Sequence, residues 1–148
     1  MKTLLLLITL FAFLQSAFLP VNLVLVVLVA RSLIVSDRDN LYLAFFGGMI
    51  LGFLTQINLG YFPLVFILIV KLGEFIKTFP VSFNMLMIFV TGAVLVAIVG
   101  GLNMVFINQN MSLYIHLIEA ILVVPFYFVI RLWEERFVVK AHMKLRMR

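Results

Sequence analysis

Residues 82–107, SFNMLMIFVTGAVLVAIVGGLNMVFI, form the longest apolar run in this chain, and Asn84, Thr91 and Asn103 are its main polar interruptions. A helix rises 1.5 Å per residue, so about 20 apolar residues are needed to cross the roughly 30 Å hydrocarbon core of a bilayer. The run exceeds that length and carries no charge. It therefore predicts a membrane-spanning helix.

The composition of the whole chain agrees with this prediction. Of 148 residues, 66% are hydrophobic and 11% are charged, whereas soluble domains carry about 25% charged residues. A soluble chain of this size has too much surface relative to its volume to bury so many apolar side chains. The composition excludes a soluble enzyme, a disordered protein and a DNA-binding module, and it predicts an all-α integral membrane protein. There is no cysteine, which excludes disulfides and thiol catalysis.

Five further apolar runs bring the expected number of transmembrane helices to about six. A charged turn at Lys71, Glu74 and Lys77 is expected to end the fourth span. Residues 1–132 are then a single polytopic transmembrane domain, and residues 133–148 are a basic cytoplasmic tail. The five runs are Thr3–Leu19, Val21–Val35, Leu41–Ile57, Leu59–Val70 and Leu113–Ile130.

The positions of the cations predict the orientation. The breaks after the first, third and fifth spans contain no Lys or Arg, and all 11 cations lie elsewhere. Because Lys and Arg are retained on the cytoplasmic side, this pattern predicts that both termini are cytoplasmic. The cations are Lys2, Arg31, Arg38, Lys71, Lys77 and six between Arg131 and Arg148.

The first 35 residues allow three interpretations. Pro20 disfavours a continuous helix, so Thr3–Val35 is read as a hairpin of two short helices, the second thinning the bilayer or relying on Arg31 to snorkel to the interface. A single kinked helix would leave five spans and an external N-terminus. A cleaved signal peptide ending at Ala17 would fit the outline of Lys2 and the apolar run, but Gln15 occupies a position that favours a small residue.

His116 and Glu119 are the two ionisable residues well inside a predicted span, and their i, i+3 spacing places them on one helix face. They are candidates for a proton relay, for half of a metal site, or for helix packing. Ser112 lies one turn before His116, but a triad on one helical stripe has no oxyanion hole. The chain is therefore not expected to be an enzyme, and no metal or cofactor is expected.

Small and polar residues mark a candidate helix-packing or partner interface. Gly48 and Gly52 have the spacing that lets membrane helices approach closely, and Pro125 predicts a kink. The polar segment after the third span reads either as a turn, in which Asn and Gly supply unusual backbone angles, or as a partner surface. The candidates are Gly48, Gly52, Gln56, Asn58, Gly60, His116, Glu119 and Pro125.

The C-terminal tail predicts contact with the membrane surface. A polybasic segment beside a membrane helix is attracted to anionic lipid by about 1 kcal/mol per charge, which accounts for the net charge of +5 without nucleic acid. Docking on a cytoplasmic protein is the alternative. The expected anchors are Trp133, Lys140, Lys144, Arg146 and Arg148.

Three segments resemble the MreD family of rod shape-determining membrane proteins. They are GMILGFLTQINLGY at residues 48–61, the short apolar run PVNLVLV at residues 20–26, and EAILVVP at residues 119–125 with its basic end at Arg131. The family often has an acidic residue in its third helix where this chain has Gly52, and an asparagine near Glu119.

The resemblance implies a non-catalytic subunit of the cell-wall elongation (rod) complex in the bacterial inner membrane. It would scaffold an MreC-like protein and, through it, RodA-like and penicillin-binding proteins and the MreB filament. The family's fold is similar to the substrate-binding subunits of energy-coupling factor vitamin transporters, which supply the alternative function. The short outer loops argue against a ligand pocket of that kind. An ion- or proton-conducting bundle using His116 and Glu119 is a third hypothesis.

Overall fold

The structure is a computed structural model that describes residues 2–57, 60–79, 84–107 and 112–146, with side chains up to residue 136. These residues form six α-helices and no strand. Helix packing alone therefore builds the fold. The helices are α1 (Lys2–Ala17), α2 (Leu23–Ile34), α3 (Arg38–Thr55), α4 (Tyr61–Lys77), α5 (Met85–Ile107) and α6 (Leu113–Arg146).

Helix α2 is the centre of the bundle. Every residue from Val24 to Leu33 is buried, and α2 contacts each of the other five helices. A helix that is hydrophobic on all sides is either enclosed by protein or in a membrane, and the sequence LVLVVLVARSLI of α2 is apolar around almost its whole circumference. The other helices form a shell around it.

This central position corrects the expected role of Arg31. With 12 residues, α2 is about 18 Å long and too short to cross a bilayer. The hydrophobic length of α2 does not have to match a bilayer, because protein rather than lipid surrounds it. Arg31 is only 5% exposed, so it does not snorkel to an interface but lies among polar partners inside the protein.

The helix boundaries follow the predicted runs with two differences. The break at Pro20 is present, since α1 ends at Ala17 and α2 begins at Leu23. The expected charged turn after the fourth run is instead helical, because α4 continues to Lys77. Helix α6 continues beyond the predicted run as far as Arg146, so the described part of the basic tail extends the last helix.

The outer surface of the bundle is apolar along most of its length. Two segments, Met85–Ile107 and Leu113–Arg136, are long and apolar enough to cross a membrane, and in each an apolar window of 18 residues is only 33% buried inside the protein. Large hydrophobic side chains are exposed on the shell helices. Examples from α1, α3, α4, α5 and α6 are Leu6, Phe53, Leu64, Leu86, Val105 and Leu117.

Helices α3 and α4 approach most closely at Gly48. A Cβ atom on Gly48 would lie 2.5 Å from the backbone nitrogen of Pro63, closer than atoms can pack. Pro63 is in the first turn of α4, where a missing N–H group breaks no intrahelical hydrogen bond. Glycine on one helix and proline on the other therefore allow the two backbones to touch.

Candidate functional site

Side chains of other helices satisfy the backbone groups at both ends of α2. At its first turn, Glu119 Oε1 accepts a hydrogen bond from the Asn22 backbone N–H at 2.7 Å, and Gln15 Oε1 accepts one from Val24 N–H at 3.0 Å. At its last turn, Lys77 Nζ donates to the Ile34 carbonyl at 2.5 Å. The anion thus lies at the positive end of the helix dipole and the cation at the negative end.

The polar cluster beyond the last turn of α2, which we call the cationic end, joins four helices. Arg31 Nε lies 3.3 Å from Glu134 Oε1 on α6, and the Arg31 guanidinium also donates to the side-chain oxygen of Asn40 on α3. Asn40 Nδ2 donates to the Val35 carbonyl at 2.5 Å and to Glu74 Oε1 on α4 at 3.1 Å. This network holds the ends of α2, α3, α4 and α6 together.

Because the Arg31–Glu134 ion pair is buried, breaking it costs more stability than breaking an exposed ion pair. Their side chains are 6% and 11% exposed. A charge in such surroundings is tolerated because it is paired, and removing one partner leaves the other charge buried without compensation. By contrast, Lys71, which lies 2.9 Å from Glu74 Oε2, is 57% exposed. In the cationic end, the Arg31–Glu134 pair is thus buried, whereas Lys71 at its edge is exposed to solvent.

At the other end of the bundle, all six helices or the segments that adjoin them surround a cavity of about 310 Å³. Its wall combines polar groups with apolar ones, including Leu25, Leu51 and Phe62. A cavity of this size is at the lower limit of the range for small-molecule sites. The polar residues that line it are Gln15, Ser16, Asn22, Thr55, Asn103, Ser112, His116 and Glu119.

Glu119 and His116 are the two ionisable residues in this wall among those described. Glu119 is 4% exposed, and its Oε2 atom lies 3.9 Å from Nδ1 of His116, which is too far for a hydrogen bond. His116 Nδ1 is buried and has no hydrogen-bond partner within the described part of the chain. One carboxylate oxygen and one ring nitrogen therefore lie close together without a bond between them.

The Asp, Glu and His side chains form no candidate metal-binding group among the residues that the structure describes. No three His, Asp or Glu side chains come close enough to hold a metal ion. Ser112 lines the same cavity as His116 and Glu119, but all three lie on one stretch of chain at the start of α6. The polar side chains of this wall can form hydrogen bonds to a group in the cavity.

The predicted interface residues do not lie together. Gly48 and Gly52 are buried on α3, where Gly48 contacts α4, whereas His116 and Glu119 line the cavity. Pro125 lies inside α6 beside an apolar groove formed with α5 residues such as Phe89.

In the segment between α3 and α4, the unusual backbone angle among the described residues is at Gln56 and not at Gly60. Gln56 ends α3 in the left-handed conformation, with φ 56°, which is the conformation that commonly ends helices but usually at glycine or asparagine. Gly60 has φ −85°, so it does not supply an unusual angle, and Asn58 lies outside the described residues.

Four of the five predicted membrane-surface anchors, Trp133, Lys140, Lys144 and Arg146, lie on the last part of α6. Trp133 is 41% exposed. Lys140, Lys144 and Arg146 fall within the helix, although their side chains are not among those described, and Arg148 lies outside the described residues.

Sequence reasoning did not identify the network around Arg31. It assigned Asn40, Glu74 and Glu134 no shared role, because they are far apart in the chain and near the ends of apolar runs. A charged residue inside a helix as apolar as α2 is by itself a signal that a partner is needed. That signal identifies Arg31 but not the residue that pairs with it.

Comparison with protein-family models, with curated proteins and with solved structures finds no match to this chain.

Proposed function

We propose that this chain is a six-span integral membrane protein of the bacterial inner membrane and a non-catalytic subunit of the cell-wall elongation complex. It helps to determine cell shape by scaffolding an MreC-like protein and peptidoglycan synthases. The observation that supports embedding in a membrane is that charged side chains are kept apart from the apolar outer surface of the shell helices. The scaffold part rests on the resemblance at residues 20–26, 48–61 and 119–125.

The distribution of side chains supports embedding in a bilayer. An exposed apolar surface that covers most of a small bundle cannot be maintained in water. In this bundle, the outward faces of α1, α3, α5 and α6 carry such exposed apolar side chains. The buried Arg31 and Glu134 are paired with each other at one end, as ionisable residues inside a membrane protein must be. Because α2 is enclosed, its 12 residues need only cross the middle of the bundle.

The same packing supports a structural rather than a catalytic role. Gly48, in the segment that resembles the MreD family, joins α3 to α4 within the bundle. The outward faces of α3 and α5, which carry exposed side chains such as Phe53 and Val105, are then available to partner helices. A closely packed bundle with an apolar outer surface suits a subunit that positions other membrane proteins.

Cysteine labelling tests the orientation of the three predicted spans between residues 36 and 112. The chain has no native cysteine, and Ser36 and Ser112 are both exposed and are separated by three predicted spans. In spheroplasts, an impermeant maleimide is expected to label Ser112→Cys at once and Ser36→Cys only after the membrane is permeabilised. Labelling of both from the same side would contradict the arrangement.

Affinity purification from native membranes in mild detergent tests the scaffold. We expect MreC-like, RodA-like or class B penicillin-binding proteins to be recovered and identified by mass spectrometry. The matched control is another multi-pass protein of the same membrane carrying the same tag. If none of these partners is enriched over that control, the scaffold proposal fails.

A second candidate function, the substrate-binding subunit of an energy-coupling factor vitamin transporter, is supported by the cavity. The helices themselves supply its wall, so short loops do not prevent a pocket. Recovery of a transmembrane coupling subunit with two ATPases in the same purification would favour this candidate. Its failure would be seen as unchanged vitamin uptake after deletion of the gene.

A further inference from the structure

The cavity beyond the first turn of α2 has a wall whose polar groups point to one kind of ligand. Glu119 is the only acidic residue that lines the cavity in the described part of the chain, and no Lys or Arg lines it there. The N–H groups of α2 that would attract an anion are already bonded to Glu119, Gln15 and Asn22. The cavity is therefore suited to a cation.

Unfilled hydrogen-bonding capacity indicates what kind of cation would fit. Glu119 Oε1 accepts from Asn22 N–H, while Oε2 lies 3.9 Å from the unpartnered Nδ1 of His116. A nitrogen about 2.8–2.9 Å from both atoms would bridge them with ordinary hydrogen bonds, after a small rotation of the imidazole toward the cavity. A primary ammonium group supplies both the positive charge and the N–H donors.

The rest of the wall indicates the body of the ligand. Leu25, Leu51 and Phe62 present apolar surface, and Val99 and Ile115 add to it. With a volume of about 310 Å³, the cavity accommodates an alkyl or aryl group of modest size next to the ammonium head. We propose that the cavity between Glu119, His116 and Phe62 binds a small organic amine with an apolar body.

This cavity is also the one on which the second candidate function rests, whereas the scaffold proposal does not depend on it. The test measures binding to the isolated protein, so its failure would leave the purification experiment on the scaffold unaffected. Nothing in the test requires a transporter partner.

The test uses the full chain in detergent and 2-phenylethylamine as the probe, with binding measured by isothermal titration calorimetry. Two analogues separate charge from hydrogen bonding: 2-phenylethanol has no charge, and trimethyl(2-phenylethyl)ammonium has charge but no N–H donor. We expect both analogues to bind at least about tenfold more weakly than the amine, since a charge-assisted hydrogen bond is lost in each case. An alcohol that binds as tightly as the amine would overturn the proposal.

Two variants and a matched control locate the site. Glu119→Gln keeps the acceptor for Asn22 N–H and should raise the Kd by at least about tenfold. Glu135→Gln removes a carboxylate that is exposed on the same helix and paired with Arg131, and it should leave the Kd unchanged. Amine binding that is equal in wild type and Glu119→Gln, or absent from wild type, rejects the site.

The variant Ser16→Trp tests whether the amine binds in this cavity even if Glu119→Gln does not fold. Ser16 lines the cavity but is exposed at the end of α1, so a bulky side chain there can fill the space without disturbing the core. We expect Ser16→Trp to abolish amine binding and Ser16→Ala to preserve it. Undiminished binding to Ser16→Trp would show that the amine binds elsewhere.

Discussion

Replacing Arg31 with alanine is expected to lower the free energy of unfolding by about 3–5 kcal/mol, the usual cost of removing one partner from a buried ion pair. Glu134 would keep a buried charge without its partner, and Asn40 would lose the donor to its side-chain oxygen. Because these contacts join α2 to α6 and α3, the bundle should loosen at its cationic end. Reversible unfolding in mixed micelles, followed by circular dichroism, measures the loss.

The chain offers a matched control for this prediction in a second arginine–glutamate pair. Arg131 Nε lies 2.9 Å from Glu135 Oε1, but the two side chains are 54% and 56% exposed. Exposed pairs contribute at most about 1 kcal/mol, so Arg131→Ala should change stability little. Equal losses in the two variants would contradict the role of burial. The double variant Arg31→Met with Glu134→Leu should recover much of the stability, because no unpaired charge is left in place.

Gly48→Ala is expected to lower the free energy of unfolding by about 1–3 kcal/mol or more, the range for forcing extra atoms into a packed core. The added methyl group would meet the backbone of Pro63 and Phe62 at 2.5–2.7 Å. Backbone atoms cannot rotate away as a side chain can, so α3 and α4 must separate. The same unfolding measurement applies, and the temperature of thermal unfolding should fall in parallel.

Gly101→Ala is the control for that variant. Gly101 also lies inside a helix, but nothing stands within 4 Å of the position that a Cβ would occupy. Alanine favours helix more than glycine does, by about 1 kcal/mol, so this change should leave stability unchanged or raise it. If Gly48→Ala were as stable as Gly101→Ala, the close approach of α3 to α4 would be wrong.

The helix count and most helix boundaries could be predicted from the sequence, because apolar runs and the proline at residue 20 are local signals. The burial of α2 was not predicted, although its uniformly apolar circumference already favours an enclosed helix. Treating it as a lipid-facing span led to the expectation that Arg31 snorkels. The length rule for membrane helices applies to helices that are exposed to lipid, whereas α2 is buried by the other helices.

The candidate site could be predicted only in part, because some of its contacts are local in the sequence and others are not. The proximity of His116 to Glu119 follows from their spacing on one helix. The hydrogen bond between Glu119 and Asn22 depends on how α2 and α6 pack, and no local pattern encodes that packing. The pairing of Arg31 with Glu134 is also non-local, so a sequence pattern can mark Arg31 as needing a partner but cannot say which carboxylate supplies it.

The central position of α2 has a consequence for how the protein is made. Glu134 lies 103 positions after Arg31, and at about 5–20 residues per second a ribosome needs about 5–20 s to synthesise that interval. During this time α2 has emerged with a charged side chain, too few residues to span a bilayer, and no α6 to cover it. In the proposed membrane setting, the insertion machinery must shelter α2 until α6 arrives, so the first helices to be synthesised are among the last to reach their final contacts.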